Sequence, residues 1–274
     1  MSNIRLISNN LLGDTVLQTP AIRELKKQGK HITYYCGDEH KSHYMLENNP
    51  NIDELIVLPK EELPTDGIYL DAWRAFEFGR ATGRTIAEGF GSLCHVDVRD
   101  IRYDYTVLDY EIEAAKEKLP ASPKGIVLVA RHSASCSSND PNVRVANKCV
   151  PNSIWVDVAY RLVADGYYPI AIGSKKDEED NRYDEWIGDK LYGLPLRTIA
   201  AMTKLVCATL TVDTGIRHIA AATGGNMYCI SGAIPLELIR CEPTQPEQKI
   251  FEEYRPLKFV NAKSIINGAK KVLC

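Results

Sequence analysis

The sequence predicts an α/β protein with two Rossmann-like halves, each containing a doubly wound parallel sheet. Short apolar runs typical of buried strands alternate along the chain with segments of helical periodicity. A break rich in proline, at residues 120–125, interrupts this alternation, which then starts again. The length of 274 residues suits two domains of roughly 100 to 150 residues. We therefore expect two halves that face a ligand cleft.

The first half begins with an apolar strand at residues 4–8, followed by a loop and a helix. Leu17, Ala21 and Leu25 lie four apart and so share one face of that helix. A charged helix at residues 109–119 precedes the proline-rich break, so the domains are predicted as residues 1–122 and 123–274. The other elements predicted in this half are strands 31–36, 54–58 and 68–70 and helices 40–46 and 73–93.

The second half repeats the order of strand, loop and helix. A strand at residues 125–130 is followed by a long polar loop and by a helix that carries Trp155 and Leu162 on one face. We allow for the last helix to pack back on the N-terminal half. The remaining predictions are strands 168–173, 207–212 and 226–231 and helices 177–190, 198–203 and 262–273.

Composition narrows the function classes. The 33 basic and 36 acidic residues give a net charge of −3, so no overall basic field favours a polyanionic partner. The chain has neither a signal-peptide pattern nor a run of about 18 apolar residues, and we expect a cytoplasmic monomer. The eight cysteines lack C-x-x-C pairs and zinc spacing, which favours buried thiols.

Residues 210–225, LTVDTGIRHIAAATGG, combine an apolar strand, an Asp-Thr-Gly turn and an alanine-rich helix. An aspartic protease needs two coupled aspartates in an all-β fold, and this chain has one Asp-Thr-Gly between a strand and a helix. The free amides of Thr214 and Gly215 at the helix start would instead attract phosphate. The alternative is that Asp213 only caps the helix and that His218 is a half-buried histidine.

Residues 8–22, SNNLLGDTVLQTPAI, form the loop after the first predicted strand. Asp14 lies there at the carboxyl end of the strand, where open α/β sheets place reactive groups, with Gly13 and Thr15 on either side. By itself Asp14 fits a helix cap as well as a catalytic base.

Together the two segments resemble glycosyltransferase family nine, the heptosyltransferase-like enzymes of lipopolysaccharide synthesis, which have the GT-B fold. The family's Leu-Gly-Asp loop and Thr-Pro-Ala match residues 12–14 and 19–21, and its Asp-Thr-Gly-x-x-His-x-Ala-Ala signature matches residues 213–221. The resemblance implies an N-terminal acceptor-side domain and a C-terminal domain that binds a nucleoside-diphosphate sugar.

The resemblance also implies residue roles. Asp14 is the base that accepts the proton of the acceptor hydroxyl, in a transfer that inverts the anomeric carbon, while Gly13 and Thr15 belong to the acceptor-side loop. Asp213 belongs to the donor site, the amides around Thr214 and Gly215 hold the diphosphate, and His218 lies near the phosphate or the sugar.

The resemblance also implies two further contacts with the nucleotide sugar, a cation at the diphosphate and an acidic residue at the ribose. For each contact more than one residue fits. The family's lysine that neutralises the diphosphate falls near Lys148, with Arg131 and Arg144 as competitors, and each of the three also fits an ordinary exposed cation. The family's ribose contact falls on Asp177 or Glu178, which equally fit a charged first helical turn.

No D-x-D motif is present, so we expect no metal and no cofactor. The acceptor expected is a lipopolysaccharide or another glycan, and a peripheral contact with a membrane is compatible with it. A modified nucleic-acid base is the alternative acceptor, since aromatic and basic residues interleave at residues 73–84, a pattern that also fits an amphipathic helix. Two alternatives to a glycosyltransferase are a non-catalytic module that binds a nucleotide sugar and a dehydrogenase. The dehydrogenase is less well supported, because no G-x-G-x-x-G motif follows the first strand of either half.

Overall fold

A computed structural model describes residues 2–132, 150–180, 185–256 and 259–274. Its contacts divide the chain into two compact units. Unit 1 runs to Thr106 and includes Glu237–Glu242, and unit 2 contains Val107–Leu236 and Pro243–Cys274. Among the described residues, no helix has both the length and the apolar character needed to cross a membrane.

Unit 1 contains a four-stranded parallel sheet in the order β3-β2-β1-β4. All four strands agree with the sequence prediction within about two residues. Because every strand runs in the same direction, the loops that follow them meet at one carboxyl edge. The strands are β1 (Asn3–Ser8), β2 (His31–Gly37), β3 (Glu54–Leu58) and β4 (Ile68–Tyr69).

The helical region predicted at residues 73–93 is two helices. Gly83 ends the first with φ 71°, a left-handed conformation that favours glycine, and Thr85 with Glu88 forms a capping box on the second. The two helices pack closely, since a Cβ on Gly89 would lie 2.3 Å from the Ala75 carbonyl oxygen. The helices of unit 1 are α1 (Leu12–Leu17), α2 (Thr19–Lys27), α3 (Ala72–Thr82) and α4 (Ile86–Leu93), with 3-10 turns at Ser42–Met45 and Lys60–Glu62.

Arg23 of α2 attaches the segment after α4 to this helix. Its guanidinium contacts Asp104 at 2.6 Å and Asp100 at 3.5 Å, and it donates to the Asp100 carbonyl at 2.7 Å. Hydrogen bonds from Arg102 hold the pKa of Asp100 at about 2, below its ordinary 3.8. This cluster fixes α2, which follows the helix that carries Asp14.

Replacing Asp100 with asparagine should lower the free energy of unfolding at pH 7 by at most about 2 kcal/mol. The folded-state pKa is depressed, so this stabilisation is complete above about pH 4 and is lost as pH falls through about 2. Urea unfolding at several pH values measures it. Asp97→Asn is the matched control, because Asp97 is mostly exposed and its pair with Arg99 adds little. An equal loss in both variants would contradict this account.

Unit 2 contains a six-stranded parallel sheet in the order β10-β9-β8-β5-β6-β7. The predicted helix at residues 177–190 is wrong over residues 185–190, where the structure has no helix and an edge strand begins at Asp189. The prediction also lacks the opposite edge strand. The strands are β5 (Ile126–Ala130), β6 (Tyr168–Gly173), β7 (Asp189–Tyr192), β8 (Ala208–Val212), β9 (Met227–Ser231) and β10 (Ile250–Tyr254).

The core of unit 2 lies on both faces of this sheet. On one face, Trp155 packs with Ile265, which is part of the last helix. That helix therefore lies in unit 2, whereas the sequence allowed for its return to the N-terminal half. The helices are α5 (Asp109–Lys116), α6 (Asn152–Ala164), α7 (Lys175–Asp180), α8 (Leu196–Leu205), α9 (Gly215–Thr223), α10 (Leu236–Ile239) and α11 (Ala262–Ala269), α10 beginning where the chain passes to unit 1.

The chain divides at residues 106 and 107, earlier than the 122/123 boundary expected from the proline-rich break. The reason is that α5 packs on α8 of unit 2, where the buried carboxylate of Glu111 accepts hydrogen bonds from Arg197. A break in composition at residues 120–125 marks the loop before β5, and α5 already belongs to the second unit.

Candidate functional site

The N-terminus of α9 lies at the carboxyl edge of the unit 2 sheet, directly after β8. Thr214 is its N-cap residue, and the Thr214 hydroxyl accepts a hydrogen bond from the Ile216 amide at 3.2 Å. The first turn of α9 carries no acidic residue, so its positive end is not neutralised within the helix. This helix start can accept an anion.

Asp213 does not cap α9, so the capping alternative is wrong. Its side chain is only 6% exposed, and its Oδ1 atom lies 3.5 Å from Nη1 of Arg217 one turn along the helix. Arg217 is itself fully buried and also donates through Nε to Glu252 of β10 at 2.5 Å. Sequence analysis missed Arg217 and Glu252. The signal that could have found them is an arginine within an alanine-rich helix, because a buried arginine needs carboxylate partners.

His218 follows Arg217 in α9 and is 5% exposed, so it is more deeply buried than the half-buried position expected. His218 is the fourth residue of α9, the helix whose first amides are expected to hold the diphosphate. Its role at the phosphate or the sugar stays a prediction.

Arg131 follows β5, the strand next to β8, and is therefore at the same edge of the sheet. Its side chain is fully buried, its guanidinium donates to the Tyr192 hydroxyl, and it lies 4.8 Å from the centre of the Trp186 ring. The alternative of an ordinary exposed cation is wrong for Arg131. Arg144 and Lys148 lie outside the described residues.

Asp177 lies in the first turn of α7, after β6. Its carboxylate accepts hydrogen bonds from the amide and the hydroxyl of Ser174 at 2.6 and 2.7 Å. It packs on Gly173, where a Cβ would be 2.7 Å from the carboxylate. This geometry fits the helix-end alternative for Asp177. Glu178 is exposed, and a ribose contact by either residue stays a prediction.

Asp14 lies at the carboxyl edge of the unit 1 sheet, in the first turn of α1 and not in a loop. The N-cap residue of α1 is Leu11, so Asp14 is not the cap. Its side chain is half-buried, as is Gly13, whereas Thr15 is buried and its hydroxyl donates to the Leu11 carbonyl at 3.1 Å. Thr15 thus stabilises α1, and Asp14 is the residue of this segment whose position suits contact with a substrate.

Buried polar side chains hold α1 against the sheet. Gln18 donates to the Ser8 hydroxyl at 3.2 Å and accepts from the Tyr34 hydroxyl. Burial raises the pKa of Tyr34, so its phenol remains a donor. Asn10 donates to the Leu70 carbonyl at 2.6 Å and so joins the turn after β1 to the end of β4. These contacts fix the backbone on both sides of Asp14.

No group of histidine, cysteine, aspartate or glutamate side chains within the described ranges could hold a metal ion. The described cysteines are free, and all of them except Cys274 are buried.

Comparison by sequence finds no matching protein-family profile and no matching curated protein. Solved structures do match. A glycosyl transferase family 9 protein from Veillonella parvula has a TM-score of 0.73 and 19% identity, over 98% of this chain and 97% of that one. The ADP-heptose lps heptosyltransferase II of E. coli has a TM-score of 0.71 and 13% identity, over 99% of this chain and 98% of that one.

A third structure, the iron-containing dodecameric glycosyltransferase TibC of enterotoxigenic E. coli, has a TM-score of 0.59 and 16% identity. The match covers 93% of this chain and 64% of that one. All three identities are low, so the similarity concerns the fold. With its two parallel sheets and their interleaved helices, the chain has the GT-B fold of these family nine glycosyltransferases.

Proposed function

We propose that the protein is a glycosyltransferase that moves a sugar from a nucleoside-diphosphate sugar to an acceptor hydroxyl. The observation that carries the proposal is the position of its two motifs in a chain that matches family nine structures over nearly its whole length. Asp14 follows the first strand of one sheet, and the start of α9 follows β8 of the other. Both positions suit reactive or ligand-binding groups in α/β folds.

In the proposed reaction the acceptor oxygen attacks the anomeric carbon while the bond from that carbon to the diphosphate oxygen breaks. Asp14 accepts the acceptor proton as the new glycosidic bond forms. The amides at the start of α9 stabilise the charge that grows on the departing diphosphate. Attack from the side opposite the leaving group inverts the anomeric configuration.

The positive charge for the diphosphate is assigned to three candidates. Arg131 is buried beside the aromatic rings of Trp186 and Tyr192. Its charge therefore attracts the diphosphate without direct contact, unless the bound nucleotide sugar displaces these rings. Lys148 and Arg144 are the other two, in the segment between β5 and α6. With a cation from the protein, the proposed reaction needs no metal, whereas TibC is described as iron-containing.

The donor proposed first is an ADP-linked heptose, because one of the matching structures is named for ADP-heptose. The acceptor proposed is a hydroxyl of a lipopolysaccharide or another glycan. A modified nucleic-acid base remains the second acceptor class, and the basic and aromatic side chains of α3 are its support. Trp73 and Arg74 on that helix are exposed, which suits contact with either acceptor.

A thermal-shift screen with ADP, UDP, GDP and their sugar conjugates tests the donor proposal. A ligand that binds only the folded protein raises its stability by mass action, by about 2.7 kcal/mol at a hundred times the Kd. We expect one nucleoside diphosphate to raise the melting temperature, and the same shift in excess EDTA. Adenosine without phosphates is the control. A shift lost in EDTA would contradict metal independence, and no shift with any compound would contradict the donor site.

A further inference from the structure

We infer that Arg217 is a positioning residue of the donor site, which fixes the first turn of α9 to β10 and to the end of β8. The inference rests on the proposed function, since it concerns the amides assigned to the diphosphate. Arg217 lies outside the motif residues that suggested the donor site, at one of the two variable positions between Gly215 and His218.

The guanidinium of Arg217 lies between two carboxylates, one on β10 and one on the residue that follows β8. Its Nε atom donates to Oε1 of Glu252 at 2.5 Å, Nη2 contacts the same carboxylate, and Nη1 is 3.5 Å from Oδ1 of Asp213. The arginine side chain is fully buried, and the side chains of Asp213 and Glu252 are 6% and 9% exposed. The three groups form a buried ion cluster.

This cluster spans three strands. Asp213 directly follows β8, Glu252 is the middle residue of β10, and β9 lies between these two strands. Arg217 is the third residue of α9, so its contacts act on the first turn of the helix. Because a guanidinium is planar and its donors point in fixed directions, the contact with Glu252 ties this turn to β10, and the local contact with Asp213 ties it to the end of β8.

Other contacts hold the far end of α9. Gln248 donates to the Ala220 and Ala221 carbonyls at 3.4 and 3.1 Å, and the hydroxyls of Thr203 and Thr223 lie 2.9 Å apart. Arg217 makes its directional contacts at the opposite end, in the first turn. A diphosphate bound by helix amides needs those amides preorganised, since a small displacement weakens several hydrogen bonds together. The directional contacts of Arg217 supply this restraint.

The test compares Arg217→Met with Arg23→Met. Arg23 is the matched control, because it too is largely buried between two carboxylates, Asp100 and Asp104, but it lies in unit 1. Arg217→Met leaves two buried carboxylates without their cation, and Arg23→Met removes a cation from two half-buried ones, of which Asp100 keeps Arg102, so both should lower the melting temperature. Arg217→Lys and Glu252→Gln are the milder variants, which keep part of the contact if Arg217→Met does not fold.

Two readouts separate positioning from general stability. We expect Arg217→Met to raise the Kd for the nucleoside diphosphate found by thermal shift on the order of tenfold, with partial recovery in Arg217→Lys. We also expect faster hydrogen exchange at the amides of residues 214–218. Arg23→Met should change neither quantity. Equal exchange at these amides in Arg217→Met and Arg23→Met, or an unchanged Kd, would overturn the positioning role.

The exchange measurement distinguishes the two proposals. If the wild-type protein binds no nucleoside diphosphate, the proposed donor site fails, and exchange at residues 214–218 still decides whether Arg217 fixes the first turn of α9. If the protein binds the diphosphate and Arg217→Met exchanges as the wild type does, the donor site stands and the positioning role is excluded.

Discussion

Asp14→Asn is expected to lower kcat for sugar transfer by about 10²- to 10⁴-fold, which is the usual contribution of a general base. Asparagine has the same shape but cannot accept the proton of the acceptor hydroxyl at neutral pH. The Kd for the nucleoside diphosphate should stay within about twofold, since the donor contacts are assigned to unit 2. Initial transfer rates and ligand titration measure the two quantities.

The fold should tolerate this substitution. Asp14 lies in the first turn of α1 and is not its N-cap, and the loss of its favourable interaction with the helix dipole costs about 0.3 to 1 kcal/mol. Asp38→Asn is the matched control, because Asp38 is an exposed carboxylate that follows β2 at the same edge of the sheet. Rapid transfer by Asp14→Asn would exclude Asp14 as the base.

The same experiment separates an enzyme from a binding module. A module that binds a nucleotide sugar without transfer has no use for a base after β1, and neither the wild type nor Asp14→Asn would form a product. Wild-type protein that binds the donor but yields no product with glycan or nucleic-acid acceptors would favour the module. A product that forms with one acceptor class identifies that class.

The sequence predicted the sheet interiors well. Strands such as β6 and β8 are continuous apolar runs buried on both faces, which is the pattern that distinguishes central parallel strands. The two edge strands of unit 2 were missed for the converse reason. β7 reads DKLY and β10 reads IFEEY, and both are only partly buried, so their polar residues hide the strand pattern.

The candidate site could be predicted only where residues belong to a motif. Asp14, Thr214 and Gly215 were proposed because each belongs to a short motif that follows a predicted strand. Glu252 lies 35 residues from Arg217, and their pairing depends on β10 lying two strands from β8. Local periodicity carries no such information, since strand order is a property of the folded sheet.

The burial of Arg131 also depended on distant residues. Trp186 precedes β7 and Tyr192 is its last residue, so both partners lie more than 50 residues along the chain from Arg131. The predicted helix at residues 177–190 gave no reason to place either ring near the end of β5, and the sequence left the exposed alternative for Arg131 open.

A negative charge placed at the start of α9 should weaken binding of the diphosphate without lowering the stability of the fold. Thr214→Asp should weaken binding of the nucleoside diphosphate on the order of 100-fold, because an added carboxylate about 4 Å from a phosphate charge costs up to about 4 kcal/mol near a protein surface. The helix itself should be as stable as before or slightly more so, since aspartate is at least as good an N-cap as threonine.

Thr214→Asn is the matched control for that substitution. Asparagine has nearly the same shape as aspartate and caps a helix equally well, but it adds no charge, so its affinity for the diphosphate should stay near that of the wild type. The difference between the two variants should shrink as salt rises from 0.05 to about 0.5 M, because exposed charges are then screened. Titration calorimetry at two salt concentrations, with thermal unfolding of each variant, measures these effects. Equal affinities in Thr214→Asp and Thr214→Asn would place the diphosphate elsewhere, because a charge at the N-cap cannot be neutral toward an anion held by the amides beside it.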